Sequence, residues 1–345
     1  VSSFTNETMK TSLVLLLGCL IGANGFSSAL PYLLLRPDGT FILPNGEISS
    51  PTQSRTHGLQ EAIDRAVEEH LDLYVMGGDY KNCVYPCSSS VVFPPMQGKS
   101  IRFGAATLDF NGFENRKDPG LVFDSCMNVF FDCDAQIVYH LDGAAVRFNP
   151  KNLLPVDDFV GPTIVASTFH FAAIAHVNTP VSFVGNQGGL PTDDVSVCCV
   201  EIGPNHSITR CEFKFIELLG GNVGIRVDTP AENSGFAFNR LTGHFVHEQM
   251  KCGVMEGTIG GSPLNSSLRG NRWDVHCAPS PGASGMIIRG NHSSWSADVI
   301  AEKGPLEFGI EMDSTALENT MSILAIDGGY QGNFSPDQPG SNRFD

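Results

Sequence analysis

Residues 56–67 read THGLQEAIDRAV, and the rest of the chain is interpreted from this stretch. Its apolar side chains recur at the spacing of one helical face, namely Leu59, Ala62, Ile63, Ala66 and Val67. The hydroxyl of Thr56 can accept a hydrogen bond from a free N–H of the first turn, which predicts a helix over about residues 56–71. Only short β-type runs follow, beginning with residues 73–76 and 90–93. One short helix before many short strands predicts that the helix caps the end of a long β structure.

The later β-type runs recur in two interleaved series. The markers of the first series lie 25, 29, 33 and 23 residues apart: Val200, Ile225, Val254, Ile287 and Ile310. The markers of the second series lie 28, 32, 26 and 24 residues apart: Phe213, Leu241, Trp273, Val299 and Ile323. Two series with one drifting period predict a solenoid, and strands this short predict an all-β parallel β-helix with one strand per sheet in each coil.

Alternation along a run predicts which side chains point inward. Within residues 224–228, Ile225 and Val227 should face the core, whereas Arg226 and Asp228 should face outward. A Greek-key sandwich is the structural alternative. It needs antiparallel hairpins with tight turns, and the loops here are mostly too long for such turns.

The N-terminal residues have the features of a secretory signal. Met9 and Lys10 precede an apolar run at residues 11–23, which is too short to span a bilayer. We therefore predict a leader over residues 1–29, with translation starting at Met9, and a secreted protein. A buried N-terminal helix and a lipid-anchored Cys19 are the alternatives.

Two regions are predicted after the leader. Residues 30–55 contain several Pro and Gly turns and should form an extended segment. Residues 56–345 should form the parallel β-helix with its cap helix. Four N-x-[ST] sequons fit a secreted glycoprotein: Asn205, Asn265, Asn291 and Asn333.

Charge and cysteine content limit the classes of partner. The formal net charge of −16 lacks the basic face that a nucleic-acid protein needs, so that class is excluded. The same charge disfavours a polyanionic glycan unless Ca²⁺ bridges the two, and no other cofactor is expected. Cys83 and Cys87 flank a Pro-containing segment and are the best candidates for a local disulfide. The other cysteines beyond the leader should be small buried hydrophobes, and no spacing indicates a zinc site.

The order of these parts resembles the pectate-lyase-like superfamily of right-handed parallel β-helices. The similarity covers the Thr-x-x-Leu-Gln-x-Ala-Ile-Asp-x-Ala helix at residues 56–66, the strand at residues 73–75 and the Gly turn ending in Tyr80. Family members usually begin that turn with Pro, and this chain has Met76 there. The resemblance implies a right-handed, capped β-helix. It leaves the activity open, because the superfamily includes lyases, hydrolases, epimerases, viral tailspikes and inert modules.

Outward side chains on stacked strands form columns that could line a glycan groove. Carboxylates on adjacent coils would lie about 5 Å apart, and those two coils apart about 10 Å, which brackets the spacing in glycosidases. Glu201, Arg226 and Asp228 are the candidates in the first column. Glu201 and Arg226 occupy matching places one coil apart and should form an ion pair. The alternative is an exposed cross-strand pair worth less than about 1 kcal/mol.

A second column contains His170, Lys214, His244, Asp274 and His276. Asp274 and His276 lie two residues apart on one strand, so both face the same way, and His244 belongs to the preceding coil. An acid beside two imidazoles can perform general acid–base chemistry or bind a metal ion. The alternative is a polar outer face without a chemical role.

A paired acid at Asp193 and Asp194 is similar to the polygalacturonase branch of the superfamily. The Gly-His-Gly expected in that branch is absent, so we do not assign its activity. A turn or a weak cation site is the simpler interpretation of the pair.

These features predict a secreted, carbohydrate-active protein, either a polysaccharide lyase or a glycoside hydrolase. Its groove should lie on the middle coils, at about residues 195–290, and its partner should be a polysaccharide or a cell-surface glycan. A non-catalytic adhesive or structural protein, or a viral spike, is the alternative. The enzyme requires a carboxylate facing a second carboxylate, a Lys or an Arg within about 10 Å.

Overall fold

The computed structural model describes residues 32–154, 161–177, 194–203, 206–229, 234–257, 268–302, 304–314, 316–332 and 342–344. Several predictions fall outside these residues: the leader at 1–29, Asp193, and the sequons at Asn205, Asn265 and Asn333.

Three sheets make up the described chain. Sheet A contains, in spatial order, β3 (Ile48–Ser49), β2 (Phe41–Ile42), β1 (Tyr32–Leu35), β4 (Asp72–Val75), β8 (Ser100–Phe103), β12 (Phe130–Tyr139), β15 (Thr168–His176), β18 (Glu212–Gly220), β21 (Arg240–His247), β24 (Arg272–Ala278), β26 (Ser294–Val299), β28 (Thr320–Ile326) and β30 (Arg343–Phe344), with β9 (Thr107–Phe110) joining β12 to β5 (Val84–Cys87). Sheet B contains β6 (Val91–Phe93), β10 (Leu121–Phe123), β13 (Ala144–Phe148), β16 (Cys198–Ile202), β19 (Val223–Val227), β22 (Cys252–Glu256), β25 (Ser284–Ile288), β27 (Ile310–Met312) and β29 (Tyr330–Gly332). Sheet C contains β7 (Met96–Gln97), β11 (Cys126–Met127), β14 (Thr163–Val165), β17 (Ser207–Thr209), β20 (Gly235–Ala237) and β23 (Leu268–Arg269).

The chain visits the sheets in a fixed order, B then C then A, from β6 to β24. Each strand pairs in parallel with its counterpart one repeat later, and the only antiparallel pairs among the described strands are β1–β2 and β2–β3. The chain is therefore an all-β structure of parallel sheets, consistent with a β-helix, and the Greek-key alternative is wrong. The two predicted series correspond to sheets B and A. Sheet C was not foreseen in detail, because its strands have only two or three residues.

Three of the sequence markers are out of register: Ile287, Val299 and Ile323. In sheet B, Val254 pairs with Met286. In sheet A, Trp273 pairs with Trp295, and Trp295 pairs with Met321. For Val299 the reason is local composition. Trp295 lies among Ser and Ala residues, so the sequence pattern favours the more apolar run that follows it.

In-register aromatic side chains build much of the core. Phe93, Phe123 and Phe148 occupy one position on successive strands of sheet B, and their ring centroids are 4.5 and 4.8 Å apart. The Trp273 and Trp295 rings stack at 4.6 Å in sheet A. Parallel pairing places like side chains over one another at the strand spacing, so each repeat buries the apolar face of the next.

The only α-helix among the described residues, α1, spans Leu59–Glu68 and is shorter than the predicted 56–71. The N-cap residue is Gly58, which has no side-chain cap bond, and the Thr56 hydroxyl two residues earlier accepts a hydrogen bond from Gln60 N in the first turn at 3.0 Å. The predicted apolar stripe faces the core: Leu59, Ala62, Ile63 and Ala66 are buried, and Val67 packs against them. The helix packs against β1, β4 and β6. Within the described ranges no helix has the length and apolarity required to span a membrane.

The same sharp turn precedes eight strands of sheet A: β8, β12, β15, β18, β21, β24, β26 and β28. One residue of the turn has φ between 50° and 65°: Gly98, Asn128, Ala166, Arg210, Phe238, Gly270, His292 and Glu318. The residue after this position is buried, and where it is Asn its side chain bonds to the backbone of the matching residue in the preceding repeat. The Asn271 side-chain oxygen accepts from Asn239 N at 3.0 Å, and Asn319 Oδ1 accepts from Ser293 N at 2.9 Å. This ladder of buried amides satisfies backbone groups that the turn removes from the sheets.

All nine cysteines in the described part of the chain are free and buried. The predicted disulfide between Cys83 and Cys87 is therefore wrong. Four residues of extended strand separate the two by about 13 Å, well beyond the reach of a disulfide. The expectation that the other cysteines are buried hydrophobes is confirmed, and burial raises the pKa of thiols such as Cys199 to about 12.

Candidate functional site

The six predicted site residues do not form one site. Glu201 lies on β16, and Arg226 and Asp228 lie on and just after β19, all on the outer side of sheet B. His244, Asp274 and His276 lie on β21 and β24 of sheet A. The two groups must be considered separately, because they belong to different faces.

The predicted Glu201–Arg226 ion pair is present, and it belongs to a larger network. Arg226 Nη1 lies 3.4 Å from Glu201 Oε1, and Arg226 Nη2 donates to Asp228 Oδ2 at 2.6 Å. Arg147, which the sequence did not single out, donates to Glu201 Oε2 at 2.5 Å because it is the in-register neighbour of Glu201 on β13. Cations and anions thus alternate over three strands.

This sheet B network is largely covered, so the expectation of an exposed cross-strand pair is wrong. The Arg226 and Glu201 side chains are only 10% and 14% exposed. The next residues in the same column, Met255 and Ile287, are buried in a second apolar cluster on the outer side of the sheet. Since the Glu201 and Arg226 charges at the centre of the network are largely shielded, the network can join strands but is poorly placed for catalysis.

The three predicted residues on sheet A do come together. They lie in a cleft of about 200 Å³, which we call the histidine cleft. Its lining residues are Gly243, His244, Asp274, Val275, His276, Ser296, Ala297 and Asp298. His276 Nδ1 lies 2.8 Å from Asp298 Oδ2. The His276 side chain is 29% exposed, so this pair is more accessible from solvent than the Glu201–Arg226 pair of sheet B.

A β-bulge brings His244 to the cleft. Gly243 pairs with Val275 and Val246 pairs with Cys277, so two residues of β21, His244 and Phe245, lie opposite one residue of β24. Both bulge residues are exposed, and the Phe245 ring contacts the His276 ring edge-on with centroids 5.8 Å apart. Bulges often re-aim side chains beside active sites, and this one adds His244 to the cleft lining and places the Phe245 ring against His276.

Asp298 completes the cleft, and the sequence interpretation missed it. It is the in-register partner of His276, and its Oδ1 atom is buried without a hydrogen-bond partner among the described residues. Aligning Trp273 with Trp295 would have found it, because His276 and Asp298 each follow their Trp by three residues. The misplaced marker in this repeat hid that alignment.

A histidine held by a carboxylate is suited to proton transfer. Imidazole is the side chain whose charge changes nearest neutral pH, and a carboxylate on one ring nitrogen leaves the other free to take a proton. No group of His, Cys, Asp and Glu with metal-binding geometry occurs in the described ranges.

Asp194 accepts hydrogen bonds from Ser196 N and Oγ in a local turn, and these bonds lower the pKa of the Asp194 carboxyl group.

Glu256, the last residue of β22, carries a carboxyl group that is not part of the cleft. It is fully buried, and its Oε2 atom accepts from Arg289 N at 3.0 Å and Gly290 N at 2.7 Å. Burial raises the pKa of Glu256 to about 7 despite these bonds. A raised pKa suits a general acid, but no substrate can reach this group, so its role is structural.

Comparison of the chain with protein families, with curated proteins and with solved structures found no match. Function is therefore argued from the side chains of the histidine cleft, since an architecture of parallel sheets hosts many activities.

Proposed function

We propose that the three sheets wind as a right-handed parallel β-helix, with α1 covering its N-terminal end. The fixed B–C–A order of the strands supports the helical winding. The right hand is proposed because connections between parallel strands of one sheet are almost always right-handed. Gln60 supports the cap. Its side-chain amide donates to Val92 O at 2.8 Å and accepts from Val92 N at 2.6 Å, where β6 forms the edge of sheet B.

The proposed activity is cleavage of a polysaccharide in the histidine cleft by a secreted enzyme. The observation that supports it most is the His276–Asp298 pair at 2.8 Å in an open cleft that also contains Asp274 and His244. An elimination, as in a polysaccharide lyase, fits better than hydrolysis. A hydrolase needs a carboxylic acid of raised pKa in reach of the substrate, and the candidate Glu256 is enclosed in the core.

In this reaction His276 accepts the proton beside a uronate carboxyl group, through the ring nitrogen that Asp298 leaves free. The electron pair forms the carbon–carbon double bond as the glycosidic C–O bond breaks. His244 protonates the departing oxygen. Asp298 is a positioning residue that holds the imidazole, and Asp274 hydrogen-bonds to sugar hydroxyl groups.

The test uses the purified chain on a panel of uronate-containing and neutral polysaccharides. Ultraviolet absorbance reports unsaturated products, and a reducing-end assay reports every cleavage. His276→Gln should lower kcat by about 10²- to 10⁴-fold, and Asp298→Asn should lower it less and shift the pH profile. His292→Gln is the matched control, because His292 pairs with Glu318 outside the cleft.

Each outcome of the panel discriminates between classes. Reducing ends without absorbance would assign hydrolysis instead of elimination. No product from any substrate would favour the non-catalytic alternative. The spike form of that alternative needs an exposed apolar stripe, whereas the large exposed apolar side chains of the described residues are scattered: Ile48, Tyr74, Tyr80, Val92, Leu153, Val177, Ile216, Phe238, Phe245 and Leu317.

A further inference from the structure

A second and larger groove lies where sheet C turns into sheet A, at the beginning of β15, β18, β21 and β24. It encloses about 600 Å³. Its charged lining residues are three arginines and one acid: Arg210, Glu212, Arg240 and Arg272. We call it the arginine groove. Such a concentration of cations is notable in a chain whose formal net charge is −16.

The arginines of this groove are poorly neutralised by the protein. Arg240 and Arg272 are direct in-register neighbours on β21 and β24, where like charges destabilise a sheet. Arg240 lies 3.8 Å from Glu212, and both side chains are about half exposed. Arg210 and Arg272 have no ion pair within the described part of the chain. A bound anion would relieve this repulsion.

Phe238 adds an aromatic surface to the same groove. It occupies the left-handed turn position, with φ 59°, and is 58% exposed. Its ring lies over Gly270 of the next repeat, where a Cβ atom would come within 2.8 Å of it. The left-handed conformation recurs at the turns that lead into sheet A, so it belongs to the fold and does not indicate a binding role. The exposed ring is not required by the turn, because Ala166 adopts the same conformation.

The groove is continuous with the face that contains the histidine cleft. Arg272, Asp274 and His276 alternate along β24 and so face outward together, over about 13 Å. Lys214 on β18 lies beside Thr242 and thus in the same column as Asp274. A polymer that crosses this face could therefore contact both sites.

We propose that the arginine groove binds the oxyanion groups, carboxylate or sulfate ester, of an anionic polysaccharide. Guanidinium groups bind such oxyanions through paired, charge-assisted hydrogen bonds, and Phe238 packs against the apolar face of a sugar ring. This inference rests on the proposed function only for the glycan nature of the ligand. It differs from the expectation, drawn from net charge, that a polyanion needs bridging Ca²⁺, because it predicts binding without that ion.

The experiment measures binding by affinity electrophoresis in gels that contain dextran, dextran sulfate or a polyuronate, with a chelator present. The protein should be retarded by an anionic polymer and not by dextran, and the two anionic gels distinguish sulfate from carboxylate. The double variant R210Q/R272Q should bind at least about tenfold more weakly. Phe238→Ala should weaken binding about threefold or more.

The control K81Q/K151Q removes the same charge from exposed lysines elsewhere and should bind as the wild type does. Circular dichroism verifies that each variant is folded, and Phe238→Ala provides a test that leaves every arginine in place. Equal binding by R210Q/R272Q and the control, or equal retardation by dextran, would overturn the proposal. Tighter binding to a single-stranded oligonucleotide than to either polymer would overturn the glycan assignment. Binding without cleavage would reject only the proposed activity.

Discussion

The outer sides of sheets A and B contain similar charged side chains in similar columns, but the two faces treat them differently. On sheet B, Arg147, Glu201 and Arg226 pair with one another under a partial cover. On sheet A, the His276–Asp298 pair lies in an open cleft beside Asp274. Register brings charges together on both faces. Whether they can act on a ligand depends on what lies over them.

This difference teaches that charge pairing alone is a weak guide to function in a repeated β structure. A covered network of paired charges can join neighbouring strands, but its most buried members, such as the 10% exposed Arg226 side chain, are shielded from a ligand. An open pair whose carboxylate keeps one oxygen unbonded, as Asp298 does among the described residues, retains capacity for proton transfer. The following predictions test that separation, from the largest effect to the smallest.

Arg226→Gln should lower the free energy of unfolding by about 3 kcal/mol. The substitution leaves the largely buried Asp228 carboxylate without its cation, and breaking a buried pair on one side is costly. His276→Gln, the matched change on sheet A, should cost less than about 1 kcal/mol. Urea unfolding of both variants measures the difference. Equal losses would mean that the two faces are not distinct in this respect.

Glu256 should make stability depend on pH separately from activity. Its folded pKa of about 7 lies above the ordinary value of 4.5, so the unfolded chain releases this proton first as pH rises. Stability from this group is therefore complete below pH 4.5 and is lost as pH rises to about 7, by about 3 kcal/mol. Unfolding midpoints between these pH values measure the loss.

Glu256→Gln should flatten the dependence of stability on pH. It should not change the pH profile of the proposed cleavage, which depends on the histidine cleft. The amide oxygen can still accept from Arg289 N and Gly290 N, but it cannot ionise. An unchanged slope of stability against pH in this variant would assign the effect to another group.

Asn271→Ala should cost about 2 kcal/mol and should affect the sheet A face. Asn271 is buried, accepts from Asn239 N and donates to Phe236 O at 3.0 Å, so Ala leaves two backbone groups unpaired. The residue directly precedes β24, which contains Asp274 and His276. Asn111→Ala, at an exposed position, should change stability by less than about 0.5 kcal/mol.

Local patterns were sufficient to predict the directions of side chains. Ile225 and Val227 are in the core and Arg226 faces outward, because alternation is a property of each strand by itself. The all-β class and the apolar face of α1 followed in the same way. His244, Asp274 and His276 were also found together, since the spacing between their strands was assigned correctly.

Register between distant strands could not be predicted as well. Arg147 and Asp298 meet their partners across 54 and 22 residues, and loops of variable length separate the strands. A better signal was available in the turns. Asn followed by Arg and a large apolar residue occurs at residues 239–241, 271–273 and 342–344, and each marks the beginning of a sheet A strand. These triplets fix the register of β21, β24 and β30, but β26 and β28, where the markers Val299 and Ile323 are wrong, follow no such triplet.

The side chain of Gln60 bonds to both backbone groups of Val92, as a neighbouring strand would. An open strand edge of this kind is a template on which another chain can add its own first strand. The Gln60 side chain therefore covers the sheet B edge at Val92, and Gln60→Ala would leave both backbone groups open to pairing with another strand.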